Sequence, residues 1–129
     1  MRLFLLSAQI CGDSGPDFEE LTYEFYVQAF SVYEEAIPDS RGQLHAITSI
    51  IGALQVSRVF GTDNYDTLIT KAALHSAKLL KKPHQATAVL AASHLWWQLE
   101  WPEEEGEEKK EDARKVCAPL ASWISLMIA

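Results

Sequence analysis

The sequence predicts an all-α protein built as a stack of antiparallel helical hairpins, an α-solenoid of about six helices. Apolar residues recur at spacings of three and four along most of the 129 residues, and no long stretch alternates as a surface β-strand does. The predicted helices are also joined mostly by short turns. Short turns place consecutive helices antiparallel to each other.

The first three predicted helices are bounded by glycine, proline and capping residues. Helix one covers about residues 2–11 and ends where two glycines and a proline follow. Helix two starts at an N-cap, Asp17, and ends before Pro38. Helix three starts from a capping box formed by Ser40 and Gln43.

The last three predicted helices each carry one apolar stripe. Helix four covers about residues 64–81 and ends in lysines, which suit the negative end of the helix dipole. Helix five begins at Pro83, because proline has no backbone N–H and a residue in the first turn of a helix does not need one. An acidic loop at 102–112, which we expect to be flexible, separates it from helix six at about 113–127.

Helix two is unusual because it has two apolar stripes side by side. One stripe is Phe25, Ala29, Val32 and Ala36, and the other is Tyr23, Tyr26, Phe30, Tyr33 and Ile37. A helix with two such faces can pack against its hairpin partner and against the next hairpin in a stack. This pattern favours a solenoid, and a closed bundle with one central helix is the alternative.

Both ends of the chain lack the polar caps with which solenoids normally close. Met1 leads directly into an apolar helix, and the chain stops at the apolar run SWISLMIA. We therefore expect residues 1–129 to be a single solenoid segment from a longer stack, uncapped at both ends.

Charge and cysteine usage exclude two classes of function. The net charge is −7, and the stretch 103–112 has seven acids and two bases, so the remaining chain is close to balanced. Nucleic-acid binding needs a basic face, which this balance does not provide. Cys11 and Cys117 have no CxxC spacing that would indicate a zinc site, and we expect two buried, reduced thiols of a cytosolic protein.

No residue pattern indicates an enzyme, a cofactor or a metal site. His84 and His94 share a predicted helix, but ten residues amount to about 15 Å of helical rise, too far for one metal ion. Glu34 and Glu35 are adjacent, so they point about 100° apart on a helix and fit a solvated helix end. The chain also has no glycine-rich phosphate loop and no nucleophile elbow.

Two stretches of the sequence resemble one known family. They are YEFYVQAFSVYEEAIPDSRGQLHAITSIIGAL at 23–54 and KAALHSAKLLKKPHQATAVLAASHLWW at 71–97. Both resemble the C-terminal part of the large α-solenoid subunit of retromer, a vacuolar protein sorting subunit of an endosomal coat. The resemblance covers about residues 2–98, and RKVCAPLASWI continues it after the acidic loop. The acidic loop and the tryptophan pair at 96 and 97 depart from the family pattern, so no function is carried onto them.

The resemblance implies a non-catalytic scaffold with a HEAT-like stack of hairpins. The family's C-terminal solenoid curves around the small retromer subunit, which has a metallophosphoesterase-like fold. The resemblance also implies that the large subunit recruits cargo-sorting, actin-regulatory and Rab-regulating proteins for retrograde transport from endosome to Golgi. A member of this family is expected to be cytoplasmic, peripheral on the endosomal membrane, and bound to that membrane only through the coat.

An independent helical adaptor that binds cargo or partner peptides is the alternative function. Trp96, Trp97 and Trp101 could line a peptide groove in such a module, because aromatic anchors dominate interface energetics. Tryptophans at these spacings also fit core packing. An autonomous adaptor would be monomeric alone, whereas a solenoid segment would associate.

We expect the partner to bind a charged face of helix four. Its residues recur at spacings of three, four and seven: Asn64, Lys71, His75, Lys78 and Lys82. The charged residues of helix two are all acids, so pairing between the two helices is the alternative to a partner. We expect Lys71, His75 and Lys78 to face the small retromer subunit, with Lys78 as the main contact.

Three positions around helix three also carry expectations. Asp39, in the turn before helix three, is either a capping residue or a second docking point for a partner. Gly42 and Gly52 lie inside helix three, where each glycine costs about 1 kcal/mol relative to alanine. We expect close helix packing to be the reason for both.

Overall fold

The computed structural model describes residues 1–97, and within them the all-α prediction is confirmed. Five α-helices follow one another: α1 (Arg2–Ser14), α2 (Glu19–Ala36), α3 (Ser40–Val56), α4 (Thr62–Ala77) and α5 (Lys82–Trp97). A 3-10 turn, Pro16–Phe18, precedes α2. The sixth predicted helix and the acidic loop at 102–112 lie outside the described residues.

The five helices form a two-layered stack of antiparallel hairpins. Helix α1 packs along α2, α3 packs against α4, and α4 packs along α5. In one layer α3 lies between α1 and α5, and in the other layer side chains of α2 and α4 meet. Consecutive hairpins that pack on each other in two layers are the arrangement of an α-solenoid, as predicted.

The hydrophobic core lies between the two layers, and α3 is its central helix. The largest fully buried apolar side chains are Tyr26, Phe30, Ile47, Ile50, Ile51, Leu54, Leu68, Ile69 and Leu95. Fully burying one such aliphatic or phenylalanine side chain stabilises the fold by about 1.5–3 kcal/mol. Because α3 supplies four of these side chains and contacts all four other described helices, it holds the stack together.

The two apolar stripes of α2 differ in burial. Tyr26 and Phe30, in the aromatic stripe, are fully buried in the core. The other stripe ranges from the buried Ala29 through the half-buried Phe25 to the exposed Ala36. Helix α2 packs along α1, contacts α3 and meets α4 through side chains, which is the multi-sided packing that its sequence predicts.

The boundary between α1 and α2 differs from the prediction. Helix α1 continues through Gly12 to Ser14, and it ends only at Gly15, whose φ of 137° suits a residue without a Cβ. Asp17 is not the N-cap of α2, because it lies within the preceding 3-10 turn. The α2 helix begins at Glu19 without any side-chain cap.

Asp39, rather than Ser40, caps α3. Its Oδ2 accepts a hydrogen bond of 2.9 Å from the backbone N–H of Gly42, which satisfies a donor that the helix leaves free. The side-chain amide of Gln43 donates to the carbonyl of Ile37 at 3.0 Å. The predicted capping box of Ser40 and Gln43 is therefore wrong, and the glutamine closes the turn instead.

Only one of the two α3 glycines lies at a close contact. A Cβ at Gly42 would lie 3.1 Å from Cγ2 of Ile37, so the close contact there is with the turn before α3 rather than with a neighbouring helix. At Gly52 close helix packing is not found within residues 1–97, because beyond the helix's own backbone and neighbouring residues no described atom lies within 4 Å of such a Cβ.

Helix α4 ends four residues earlier than predicted, at Ala77. The carbonyl of Ala77 accepts a hydrogen bond from the side-chain amide of Gln85, which ties the end of α4 to α5. Lys78 is the C-cap of α4. Lys82 is the first residue of α5, so the prediction that it shares the charged face of helix four is wrong.

Candidate partner-binding surface

Two residues of the predicted partner-binding face, Lys71 and His75, lie against α2. The Nζ of Lys71 lies 3.6 Å from Oε1 of Glu34, and the Nε2 of His75 lies 3.0 Å from the same oxygen. One acid on α2 thus meets two groups that are one helical turn apart on α4. Pairing between the helices, the alternative that the sequence leaves open, is found for these two residues.

Aromatic rings of α2 surround the same two side chains. The ring of His75 stacks on Phe30 at 5.7 Å between centroids, and it meets the edge of Tyr33 at 5.0 Å. The Nζ of Lys71 lies 5.1 Å from the centre of the Phe30 ring, within the range of a cation–π contact. The side chain of His75 is only 13% exposed, so packing between hairpins is its main role.

The pKa of His75 is lowered from its ordinary value of 6.5, first of all by burial. The charge of Glu34 and its hydrogen bond to the ring oppose this decrease, and the charges of Lys71 and Lys78 add to it. The imidazole is therefore neutral at pH 7. Its Nε2–H donates to Glu34, because a carboxylate can only accept a hydrogen bond.

The other three predicted site residues, Asp39, Lys78 and Lys82, are exposed and lie at turns between helices. Asp39 precedes α3, and the two lysines flank the turn between α4 and α5. These two turns lie at the same end of the stack, since Oγ of Ser40 lies 3.3 Å from Nδ1 of His84. We call the three exposed residues the turn surface.

Asn64, the first residue of the predicted face, lies at the opposite end of α4 and contacts Glu19 of α2. The Oε1 of Glu19 accepts hydrogen bonds of 2.8 Å from both the Asn64 side chain and the backbone N–H of Gly61. Because no side chain caps α4 at Gly61, Glu19 satisfies this N–H from the neighbouring helix. No short-range sequence pattern indicates a contact over more than 40 residues, and Glu19 was not a predicted site residue.

Trp96 packs half-buried against the hydrophobic core. This position favours core packing over the lining of an open peptide groove. Trp101 and the side chain of Trp97 lie outside the described residues.

Other classes of site are not found within residues 1–97. In this range no three histidine, cysteine, aspartate or glutamate side chains come together as metal ligands. None of its helices has both the length and the apolar character needed to cross a membrane. Cys11 is a free thiol, half-buried rather than buried as expected.

Comparison with known proteins decides the family. A family model described as vacuolar protein sorting-associated protein 35 matches residues 1–125. The chain belongs to the vacuolar protein sorting-associated protein 35 family. The resemblance at 23–54 and 71–97 is thereby confirmed, and the match continues beyond the residues that the structure describes.

Curated members of the vacuolar protein sorting-associated protein 35 family are similar to most of this chain. The Schizosaccharomyces pombe protein 35 is 49% identical over 100 residues, which is 77% of this chain. Proteins 35B and 35A of Arabidopsis thaliana are 52% identical over 97 residues and 50% identical over 96 residues, which are 75% and 74% of this chain. The matched region spans 12% of the length of each relative.

Proposed function

We propose that this chain is a non-catalytic scaffold segment of the retromer complex for endosomal cargo sorting. The observation that carries the proposal is membership of the vacuolar protein sorting-associated protein 35 family across residues 1–125. The fold supports it, because stacked hairpins expose extended surfaces on which other proteins can bind. In this role the chain is cytoplasmic and reaches the endosomal membrane only through the coat.

The partner that we propose for this segment is the small retromer subunit with a metallophosphoesterase-like fold. Through the assembled complex the segment also helps to recruit actin-regulatory and Rab-regulating proteins for retrograde transport from endosome to Golgi. Both proposals rest on membership of the vacuolar protein sorting-associated protein 35 family.

We propose that the small subunit docks on the turn surface and the adjoining part of α4, with Lys78 as the main contact. Lys78 and Lys82 are exposed and carry no ion pair within residues 1–97, so both ammonium groups are available to a partner. Lys71, 37% exposed, lies two turns before Lys78 and can contribute at the edge of the surface. His75 acts by positioning α4 against α2.

Calorimetric titration of the small subunit into the 129-residue chain tests this surface. Lys78→Glu is compared with Arg58→Glu, which makes the same change of charge at an exposed residue before the start of α4, at the opposite end of that helix. We expect Lys78→Glu to weaken binding about tenfold or more, because reversing a charge at the contact adds repulsion. Arg58→Glu should stay within about twofold of the unchanged chain. Equal affinities for both variants, with the helix content intact, contradict the docking site.

A further inference from the structure

We propose that the contact around His75 is an acid-sensitive link between neighbouring hairpins, which weakens when the imidazole of His75 gains a proton. The link, which we call the His75 link, consists of Lys71 and His75 on α4 and of Phe30, Tyr33 and Glu34 on α2. It joins the hairpin of α1 and α2 to the hairpin of α3 and α4.

Side chains carry the packing between α2 and α4. The two helix backbones approach each other at few points, so the layer depends on side chains that bridge the gap. His75 is central among these, because its ring touches Phe30 and Tyr33 while its Nε2 contacts Glu34 at 3.0 Å. A change in the charge of this one ring therefore acts directly on the contact.

The groups facing His75 favour its neutral form. From α2 the one charged group is Glu34, whose side chain is 46% exposed, so water screens much of its attraction for a protonated ring. Burial raises the pKa of Tyr33, so its hydroxyl stays neutral. From α4 itself come Lys71 and Lys78, both cations. A proton on His75 would thus be poorly hydrated and would lie near two like charges.

The direction of the pH effect follows from the lowered pKa of His75. In the open contact the ring regains its ordinary pKa near 6.5, so the open form binds the proton more tightly than the closed form. The stability that the closed contact provides is complete above pH 6.5. It is lost as the pH falls through the lower pKa of the closed form.

A second contact between α2 and α4 lies far from the His75 link and contains no histidine. Glu19 binds Gly61 and Asn64 at the other end of α2, about 22 Å along the helix from Glu34, and no histidine takes part. Because α3 packs against α1, α2, α4 and α5, acid should loosen one end of the α2–α4 contact without unfolding the stack.

Proton NMR titration of the histidine rings in the 129-residue chain tests the first part of the proposal. We expect the titration midpoint of His75 to lie below 6.5, the ordinary pKa of a histidine ring. In Lys71→Met, which removes a neighbouring cation, the midpoint of His75 should move upward. A midpoint of His75 at or above 6.5, or one that Lys71→Met leaves unchanged, overturns the proposal.

Thermal unfolding at pH 7.5 and pH 5.5 tests the consequence for stability. His75→Gln keeps an uncharged N–H donor near Glu34 but cannot gain a proton. We expect the fall in melting temperature on acidification to be smaller in His75→Gln than in the unchanged chain. The control His94→Gln changes an exposed histidine of α5 outside the His75 link, so it should leave the fall in melting temperature unchanged. An equal fall in melting temperature in all three proteins overturns the proposal. If His75→Gln does not fold, the NMR titration decides between the two outcomes.

Discussion

At residue scale, the start of α3 illustrates how closely spaced candidates limit prediction. Asp39 and Ser40 are both good capping residues, and the glutamine three positions after Ser40 matches a capping box. The structure selects Asp39, because the side chain of Gln43 binds the carbonyl of Ile37. The helix start was predictable from these residues, but which of two adjacent side chains accepts the hydrogen bond was not.

Replacing Asp39 separates the hydrogen bond of the α3 cap from the charge of its carboxylate. Asp39→Ala should lower the free energy of unfolding by about 1 kcal/mol, because Gly42 loses the acceptor for its N–H. Asp39→Asn should stay within a few tenths of a kcal/mol, because asparagine caps helices about as well as aspartate. Urea denaturation of the 129-residue chain measures both. An equal loss of stability in the two variants would show that the charge, rather than the hydrogen bond, is what matters.

Gly52 offers a stabilising substitution in the middle of α3. Gly52→Ala should raise the free energy of unfolding by roughly 0.5–1 kcal/mol, because alanine favours the helix and its Cβ would meet no close neighbour among residues 1–97. Gly42→Ala is the matched control, since its Cβ would press on Ile37 at 3.1 Å and offset the gain. Urea denaturation compares the two, and a loss of stability in Gly52→Ala would contradict the prediction.

At element scale, periodicity predicts which segments are helical more reliably than it predicts where they end. All five described helices were expected from their apolar spacing, yet the end of α1 and both ends of α4 differ by two to four residues. Side chains of other helices act at the two ends of α4: Glu19 of α2 binds its first turn, and Gln85 of α5 binds the carbonyl of Ala77. Sequence spacing within one helix does not contain such contacts.

Helical spacing predicted which residues of the candidate site are neighbours, but not which helix lies opposite them. Spacing placed Lys71, His75 and Lys78 near one another on α4, because residues three and four apart are neighbours on a helix. Spacing along one helix does not determine which other helix packs against these three residues. In the structure their face of α4 turns partly toward Glu34 on α2, and Lys82 moves to α5 because α4 stops at Ala77.

At the scale of the whole molecule, α1 has an exposed apolar face. Leu3, Leu6 and Ile10 recur along one side of the helix and are 78%, 54% and 67% exposed. Phe18, the last residue of the 3-10 turn, and Leu21, in the first turn of α2, are each nearly half exposed. Contiguous apolar surface of this kind is typical of a face on which another element or protein packs.

The exposed face of α1 predicts self-association of the isolated chain. At about tens of micromolar we expect light scattering to give a mass above that of a monomer, because association removes apolar surface from water. The double variant Leu6→Glu, Ile10→Lys should shift the chain toward the monomer, since it places charges within the apolar face. Val56→Lys, which changes a 65% exposed residue at the end of α3, should leave the association unchanged. A clean monomer before any substitution would contradict the prediction.

The docking that we propose brings the small retromer subunit to the end of the stack that carries Lys78. Lysine-specific cross-linking of the 129-residue chain with that subunit, followed by mass spectrometry, tests this docking. We predict cross-links from Lys78 and Lys82, both exposed, and fewer from Lys71, which lies against Glu34. Absence of a complex, or cross-links confined to the lysines at 109, 110 and 115, would contradict this docking.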